Sequence, residues 1–227
     1  MTAERAQLPL ALTPRPSLSL KDFVVSESNR DAFALVNGWP HWPSHGVALV
    51  GPPDSGKTHL GEGWRARSDG RAFGPDDDPA TIAPGEALLL EDVDRRPYAA
   101  DQLFHLFNWS RETGGSLLMT GRLPPSQWPY SLPDLTSRLA TLSVGTIHDP
   151  DDQLMMVLLL KLFSDRQLQV DLRVINYIIP RVERSFHAAN RLVAQLDRMA
   201  LAEKRGVTIA LARACLAAGA DATGVSG

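Results

Sequence analysis

The octapeptide Gly51-Pro52-Pro53-Asp54-Ser55-Gly56-Lys57-Thr58 follows the apolar run Val47-Ala48-Leu49-Val50 and opens a helical pattern that begins near Gly56. Its spacing, G-x-x-x-x-G-K-[ST] between a strand and a helix, is that of a phosphate-binding P-loop. The glycines let the backbone curl until its N–H groups point at phosphate oxygens, and the helix N-terminus adds its positive dipole end. Lys57 is the expected point charge for the β- and γ-phosphates, and the Thr58 hydroxyl the expected Mg²⁺ ligand. A nucleoside di- or triphosphate is the implied ligand.

Around this loop, from Phe23 to about Leu142, strand-like apolar runs alternate with amphipathic helical stretches. That alternation predicts an α/β fold, a parallel sheet with helices on both faces. The expected strands are Gly46–Val50, Ala87–Glu91 and Ser116–Thr120, with helices from Gly56 to about Ala66 and from Tyr98 to Arg111. Asp149-Pro150-Asp151-Asp152 is a helix-start signal whose acids meet the dipole. Four helical patterns follow, Leu154–Phe163, Val170–Pro180, Arg184–Leu201 and Ile209–Ala218, and they predict a small bundle. The expected division is a flexible arm over 1–20, a nucleotide-binding α/β domain over 21–148, a helical domain over 149–218 and a frayed tail over 219–227.

The chain has 227 residues, 44% of them hydrophobic, and a formal charge of −3, so it can bury a real core but offers no basic face for wrapping nucleic acid. Its single cysteine, Cys215, excludes an internal disulfide. No apolar stretch reaches the length of a membrane span and no leader is evident, which predicts a cytoplasmic protein without a membrane partner.

Further along, Ala87-Leu88-Leu89-Leu90-Glu91-Asp92-Val93-Asp94 is a buried strand ending in acids, where P-loop enzymes hold magnesium and polarise water. Glu91 or Asp92 is expected at the metal, its neighbour orienting the attacking water. The bland alternative is a polar strand end that faces solvent. Thr120 closes the next strand, on the edge where open α/β sheets bind ligands, although a lone strand-end threonine is more often a cap or turn residue. Arg138 reads either as a surface arginine or as a charge offered to a phosphoryl group on a neighbouring molecule. Arg184 is placed to fold over the phosphates from the helical bundle, or else lies with Arg181 and Arg191 on a solvated face. Trp39-Pro40-His41-Trp42-Pro43 marks a partner surface or packs on the adenine-side loop, and packing is favoured because tryptophan is normally largely buried. Near the N-terminus, Gln7-Leu8-Pro9-Leu10-Ala11-Leu12 sets leucines at alternate positions of an extended arm, a candidate docking peptide.

Taken in order, these motifs resemble the AAA+ ATPases of the DnaA branch. The likeness covers about Asp22 to Leu216. It rests on Phe23-Val24-Val25-Ser26-Glu27-Ser28-Asn29, on Gly56-Lys57-Thr58-His59-Leu60, on Phe104-His105-Leu106-Phe107-Asn108 and on Leu135-Thr136-Ser137-Arg138-Leu139. The resemblance implies an AAA+ P-loop sheet followed by a helical lid. Within that branch the chain is similar to the regulators of replication initiation rather than to the initiators. It ends soon after the helical bundle, it carries the short acidic loop Pro75-Asp76-Asp77-Asp78-Pro79 between the first helix and the acidic strand, and its arm resembles a sliding-clamp docking peptide. The resemblance implies that Gln7, Leu8, Leu10 and Leu12 contact the clamp and that Arg138 is an arginine finger acting in trans on ATP-bound DnaA. It further implies that residues 51–59, Gly51, Pro52, Pro53, Asp54, Ser55, Gly56, Lys57, Thr58 and His59, together with the first sensor Thr120 and the second sensor Arg184, hold ADP or ATP with Mg²⁺ at Thr58 and Glu91. Its implied partners are DnaA, the polymerase clamp, DNA reached through the clamp, and a second copy of the chain.

Three departures accompany the likeness. Pro9 and Ala11 stand in the docking peptide where the small residue and the proline are often found in the other order, and the leucines are expected to keep clamp binding. Glu91 precedes Asp92 where relatives usually place aspartate first, which weakens the case for intrinsic hydrolysis. Gly121-Arg122 stands where relatives often carry an acid after the sensor. Three other readings compete: a clamp adaptor with a structural nucleotide, in which Arg138 is idle; a helicase-loader-like ATPase on single-stranded DNA, which calls for a basic channel; and an autonomous ATPase motor, which calls for turnover without DnaA and is disfavoured by the Glu91-Asp92 order.

Overall fold

The computed structural model describes residues 19–223, and side chains up to residue 218. Gln7, Leu8, Leu10 and Leu12 lie outside the described residues. Five parallel strands, β1 (Gly46–Val50), β2 (Arg71–Ala72), β3 (Ala87–Leu90), β4 (Ser116–Gly121) and β5 (Ser143–Thr146), stand in the order β2-β3-β4-β1-β5. The register pairs Leu49 with Thr120 on one side and with Gly145 on the other.

Every residue of β1 and β3 is buried, as strands covered on both faces must be. Alternation then divides the side chains between two cores. On one face Val47, Leu49, Leu89 and Leu118 pack under Ala32 and Val36 of α1 (Arg30–Asn37) and Leu60 and Trp64 of α2 (Lys57–Arg67). On the other, Ala48, Leu88, Leu90, Leu117 and Met119 meet Leu103, Leu106 and Phe107 of α3 (Ala100–Thr113) and Leu135 and Leu139 of α4 (Pro133–Leu139).

The two tryptophans of the Pro-rich segment pack, but on α2 rather than on an adenine-side loop. Trp42 stacks on Trp64 with ring centroids 5.3 Å apart, Trp39 meets the same ring edge-on, and Trp39 Nε1 donates to Ser116 Oγ at 3.1 Å.

A separate core holds the C-terminal helices α5 (Asp152–Asp165), α6 (Leu172–Ile178), α7 (Phe186–Ala202) and α8 (Ile209–Thr223). Leu159 and Phe163 of α5, Ile175 and Ile178 of α6, Val193 and Leu196 of α7, and Leu211 of α8 are its buried centre, with Cys215 buried and unbridged beside them. α8 continues to Thr223, into the segment that the sequence assigned to a frayed tail. No helix among the described residues is long and apolar enough to cross a membrane.

Asp151 joins the two parts. As N-cap of α5 it accepts the Leu154 N–H at 2.7 Å. Burial pushes its carboxyl pKa up, but hydrogen bonds from Leu154, Ser26, Ser28 and Gln153 outweigh burial and hold it below the usual value. Ser26 and Ser28 belong to the buried loop before α1, where Asn29 Oδ1 accepts the Ser26 N–H at 2.9 Å and Asn29 Nδ2 donates to Val24 O at 2.9 Å.

Candidate nucleotide site and comparisons

Because all five strands are parallel, the ends of β1, β3 and β4 meet at one carboxyl edge, where open α/β sheets place ligands. There a cavity of about 640 Å³ lies between the sheet edge and the helical bundle. The P-loop forms its floor through Pro53, Asp54, Ser55, Gly56, Lys57, Thr58 and His59. Asp22, Phe23 and Val24 form one wall, and Leu154, Val157, Leu158 and Lys161 of α5 the facing one. Phe186 and Asn190 of α7 close it from the bundle side.

Gly56 adopts φ 95°, a left-handed conformation open to glycine, and a Cβ there would come within 3.0 Å of the Phe23 ring. At Gly51 a Cβ would come 2.6 Å from Ile147 O. Gly56 is thus favoured by its positive φ, and Gly51 by the close approach of the Ile147 backbone. Gly51 and Pro52 lie behind the cavity, where their carbonyls accept hydrogen bonds from Lys57 Nζ at 2.8 and 2.7 Å. Burial lowers the Lys57 pKa. Asp92, Asp94 and Asp54 oppose that shift, while the Arg122 charge adds to it. His59 Nε2 lies 2.8 Å from Ser19 O and its ring meets Phe23 edge-on, so the residue just past the P-loop pins the chain entering the cavity wall.

Of the two strand-end acids, Asp92 lines the cavity and Glu91 does not. β3 ends at Leu90, successive side chains diverge, and Asp92 turns into a left-handed conformation at φ 51°. Glu91 instead lies where its charge raises the Arg65 pKa, after the larger effect of Glu62. Thr120 is buried, and its hydroxyl accepts the Asp92 N–H at 2.9 Å. It therefore fixes the acid rather than lining the cavity.

Arg184 lies apart from the residues that line the cavity. Ser185 caps α7, its side chain accepting the Ala188 N–H at 3.0 Å, so the helix begins at Phe186 and Arg184 lies before the cap. Arg184 pairs with Asp152 at 2.8 Å, both side chains more than half exposed, and it is not a cavity wall. The bundle residue that reaches the P-loop is His187, whose Nδ1 is 3.3 Å from Asp54 Oδ2. Reading helix starts by propensity missed it, and the serine cap one residue after Arg184 was the available signal.

Arg138 stands at the opposite edge of the sheet. Its guanidinium lies 4.7 Å from the centre of the Phe104 ring and borders a second cavity of about 410 Å³, with Ser44, His45 and Gly46 at the start of β1 and Arg111 of α3.

A family model described as "Hda, lid domain" matches residues 151–216, the span of the helical bundle. The chromosomal replication initiator protein DnaA of Trichormus variabilis is 25% identical over 185 residues, 69% of this chain and 40% of that protein. DnaA of Gloeothece citriformis is 25% identical over 199 residues, 75% of this chain and 44% of that protein. The chain thus spans less than half the length of these relatives. Among solved structures, domain III of the Thermotoga maritima replication initiation protein DnaA superposes with a TM-score of 0.69 at 18% identity, over 89% of this chain and 96% of that one. A structure described as replication initiator DnaA bound to AMPPCP and single-stranded DNA gives 0.65 at 17% identity, over 84% and 69%. The fold extends to Thermotoga maritima RuvB, with a TM-score of 0.68 at 16% identity over 89% and 72%. The body with its P-loop edge thus shares the fold of DnaA domain III and of RuvB, the helical bundle matches the lid domain of Hda, and the sequence is similar to that of DnaA.

Proposed function

We propose that this protein is a regulatory inactivator of DnaA. It holds ADP or ATP in the cavity between sheet edge and lid, docks on the DNA-loaded sliding clamp through Gln7, Leu8, Leu10 and Leu12, and presents Arg138 to the ATP of a neighbouring DnaA molecule. The observation that carries this reading is the separation of Arg138 from its own P-loop. It borders the cavity at the amino edge of the sheet, not the one lined by Lys57, which supports a role toward a nucleotide held by another molecule. A guanidinium delivered in trans to a phosphoryl-transfer site raises its rate by about 10³ to 10⁵. The Hda-type lid and the DnaA relatives support the same system.

In the chain's own cavity the wall of Phe23, Val24, Leu154, Val157 and Leu158 suits a flat base, and the P-loop with Lys57 suits a phosphate tail. Thr58 and Asp92, both on the cavity, would hold Mg²⁺, which when bound neutralises phosphate charge. Among the described residues no group of three or more His, Cys, Asp or Glu could hold an ion, so such a metal depends on the nucleotide for its remaining ligands. The resemblance to the DnaA branch supports a resident nucleotide that orders body and lid more than it is consumed.

The test is hydrolysis of radiolabelled ATP on DnaA in the presence of clamp loaded on DNA. The intact protein accelerates it and Arg138→Ala, still clamp-bound, does not. Equal acceleration by the variant sinks the trans-acting role and leaves a clamp adaptor.

A further inference from the structure

Arg122 occupies a position that the P-loop chemistry does not explain. It follows β4 directly, and its side chain lines the cavity together with Lys57, Thr58 and Asp92. Its backbone is held by Asp94, whose Oδ2 accepts the N–H groups of Arg122 at 2.7 Å and Leu123 at 3.1 Å. Trp128 Nε1 donates to Leu123 O at 2.8 Å and closes the other side of the turn. The packing leaves no slack, because a Cβ on Gly121 would sit 3.0 Å from Trp128 Nε1 and 3.3 Å from Asp94 Cγ. The backbone of Arg122 is therefore fixed by this turn at the P-loop end of the cavity, while the residue itself is exposed. Among the described residues Arg122 takes part in none of the ion pairs.

We propose that Arg122 is a phosphate ligand acting within its own chain, binding the terminal phosphoryl group of the nucleoside di- or triphosphate beside Lys57, with Asp94 as its positioning residue. The proposal rests on the nucleotide reading of this cavity. Two considerations favour it. The P-loop end of the cavity carries carboxylates from Asp54 and Asp92, with Asp94 close by, so one lysine leaves a polyphosphate tail poorly balanced. A guanidinium also offers a planar fork matched to phosphate oxygens, which a second lysine would not. The charge of Arg122 lowers the Lys57 pKa, behind the larger effect of burial and the larger opposing effect of Asp92.

The experiment is calorimetric titration of the full chain, and of Arg122→Ala and Arg122→Lys, with ADP, ATP and AMP in Mg²⁺ buffer. A lost charge-assisted contact lowers ADP and ATP affinity by roughly tenfold or more in Arg122→Ala. AMP affinity changes by no more than about twofold, and Arg122→Lys recovers part of the loss. The result that overturns the proposal is ADP and ATP affinity in Arg122→Ala equal to wild type, or an equal loss for AMP, which marks a structural role. If the unaltered chain binds none of the three nucleotides, the reading of the cavity itself fails, and that outcome is separable from the first.

Discussion

The two edges of the sheet carry similar charges in opposite settings. At the carboxyl edge Lys57 is buried, its amine fixed by two P-loop carbonyls, and Arg122 is held by a turn bound to Asp94. At the amino edge Arg138 is half-buried on an aromatic face, with Arg111 beside the same shallow cavity. The first arrangement lines a cavity between body and lid. The second holds a cation in place while leaving it open to an approaching surface. A parallel sheet makes such a separation inevitable, since loops after its strands gather at one edge and loops before them at the other.

That contrast breaks most readily at Lys57. Lys57→Ala is expected to weaken ADP binding on the order of a hundredfold, because charge-assisted hydrogen bonds are worth roughly 1.5–3 kcal/mol each. A fluorescent-nucleotide titration checks this, and affinity within a few-fold of wild type would remove the nucleotide from this edge. Next in size is the contrast between the two acids. Asp92→Asn lowers Mg²⁺-dependent ADP affinity roughly tenfold and Glu91→Gln leaves it within about twofold. The reverse ranking restores Glu91 as the metal-side acid.

A smaller effect sharpens how the lid is attached. Asp151 has a depressed carboxyl pKa in the folded state, so its contribution is present above the unfolded value, about 3.9, and is lost as the pH falls through the folded value. Stability measured by urea unfolding therefore declines below about pH 4, and Asp151→Ala flattens that decline while costing about 1 kcal/mol at neutral pH as a lost helix cap. An unchanged acid limb in the variant contradicts this. Smallest is the support of Arg138 by Phe104. Phe104→Leu keeps an apolar side chain and removes the ring, a loss of about 0.5–1 kcal/mol, hence a reduction of a few-fold in stimulated hydrolysis with ADP binding unchanged.

Much of this fold was legible in the sequence. β1 was placed without error, and β3 and β4 to within a residue, because continuous apolar runs bounded by polar ends admit one reading in a covered sheet. β2 was not seen. It is two residues long, its Arg71 and Ala72 carry no apolar alternation, and it exists only through pairing with β3. The P-loop was legible because its chemistry is local. The rest of the cavity was not, because it depends on which way short segments turn. Glu91 and Asp92 are adjacent, and the left-handed turn at Asp92 decides which one faces inward. Likewise the cap at Ser185 decides that His187, not Arg184, approaches the P-loop.

The most direct test of the central claim sets Lys57→Ala beside Arg138→Ala in two assays, ADP binding by the isolated chain and stimulation of ATP hydrolysis on DnaA with loaded clamp. Arg138→Ala is predicted to bind ADP as the unaltered chain does and to lose stimulation by about 10³, the scale of an arginine finger, while Lys57→Ala loses ADP binding. If Arg138→Ala instead loses ADP binding as Lys57→Ala does, or stimulates hydrolysis in full, the two edges do not serve two different nucleotides and the account is wrong.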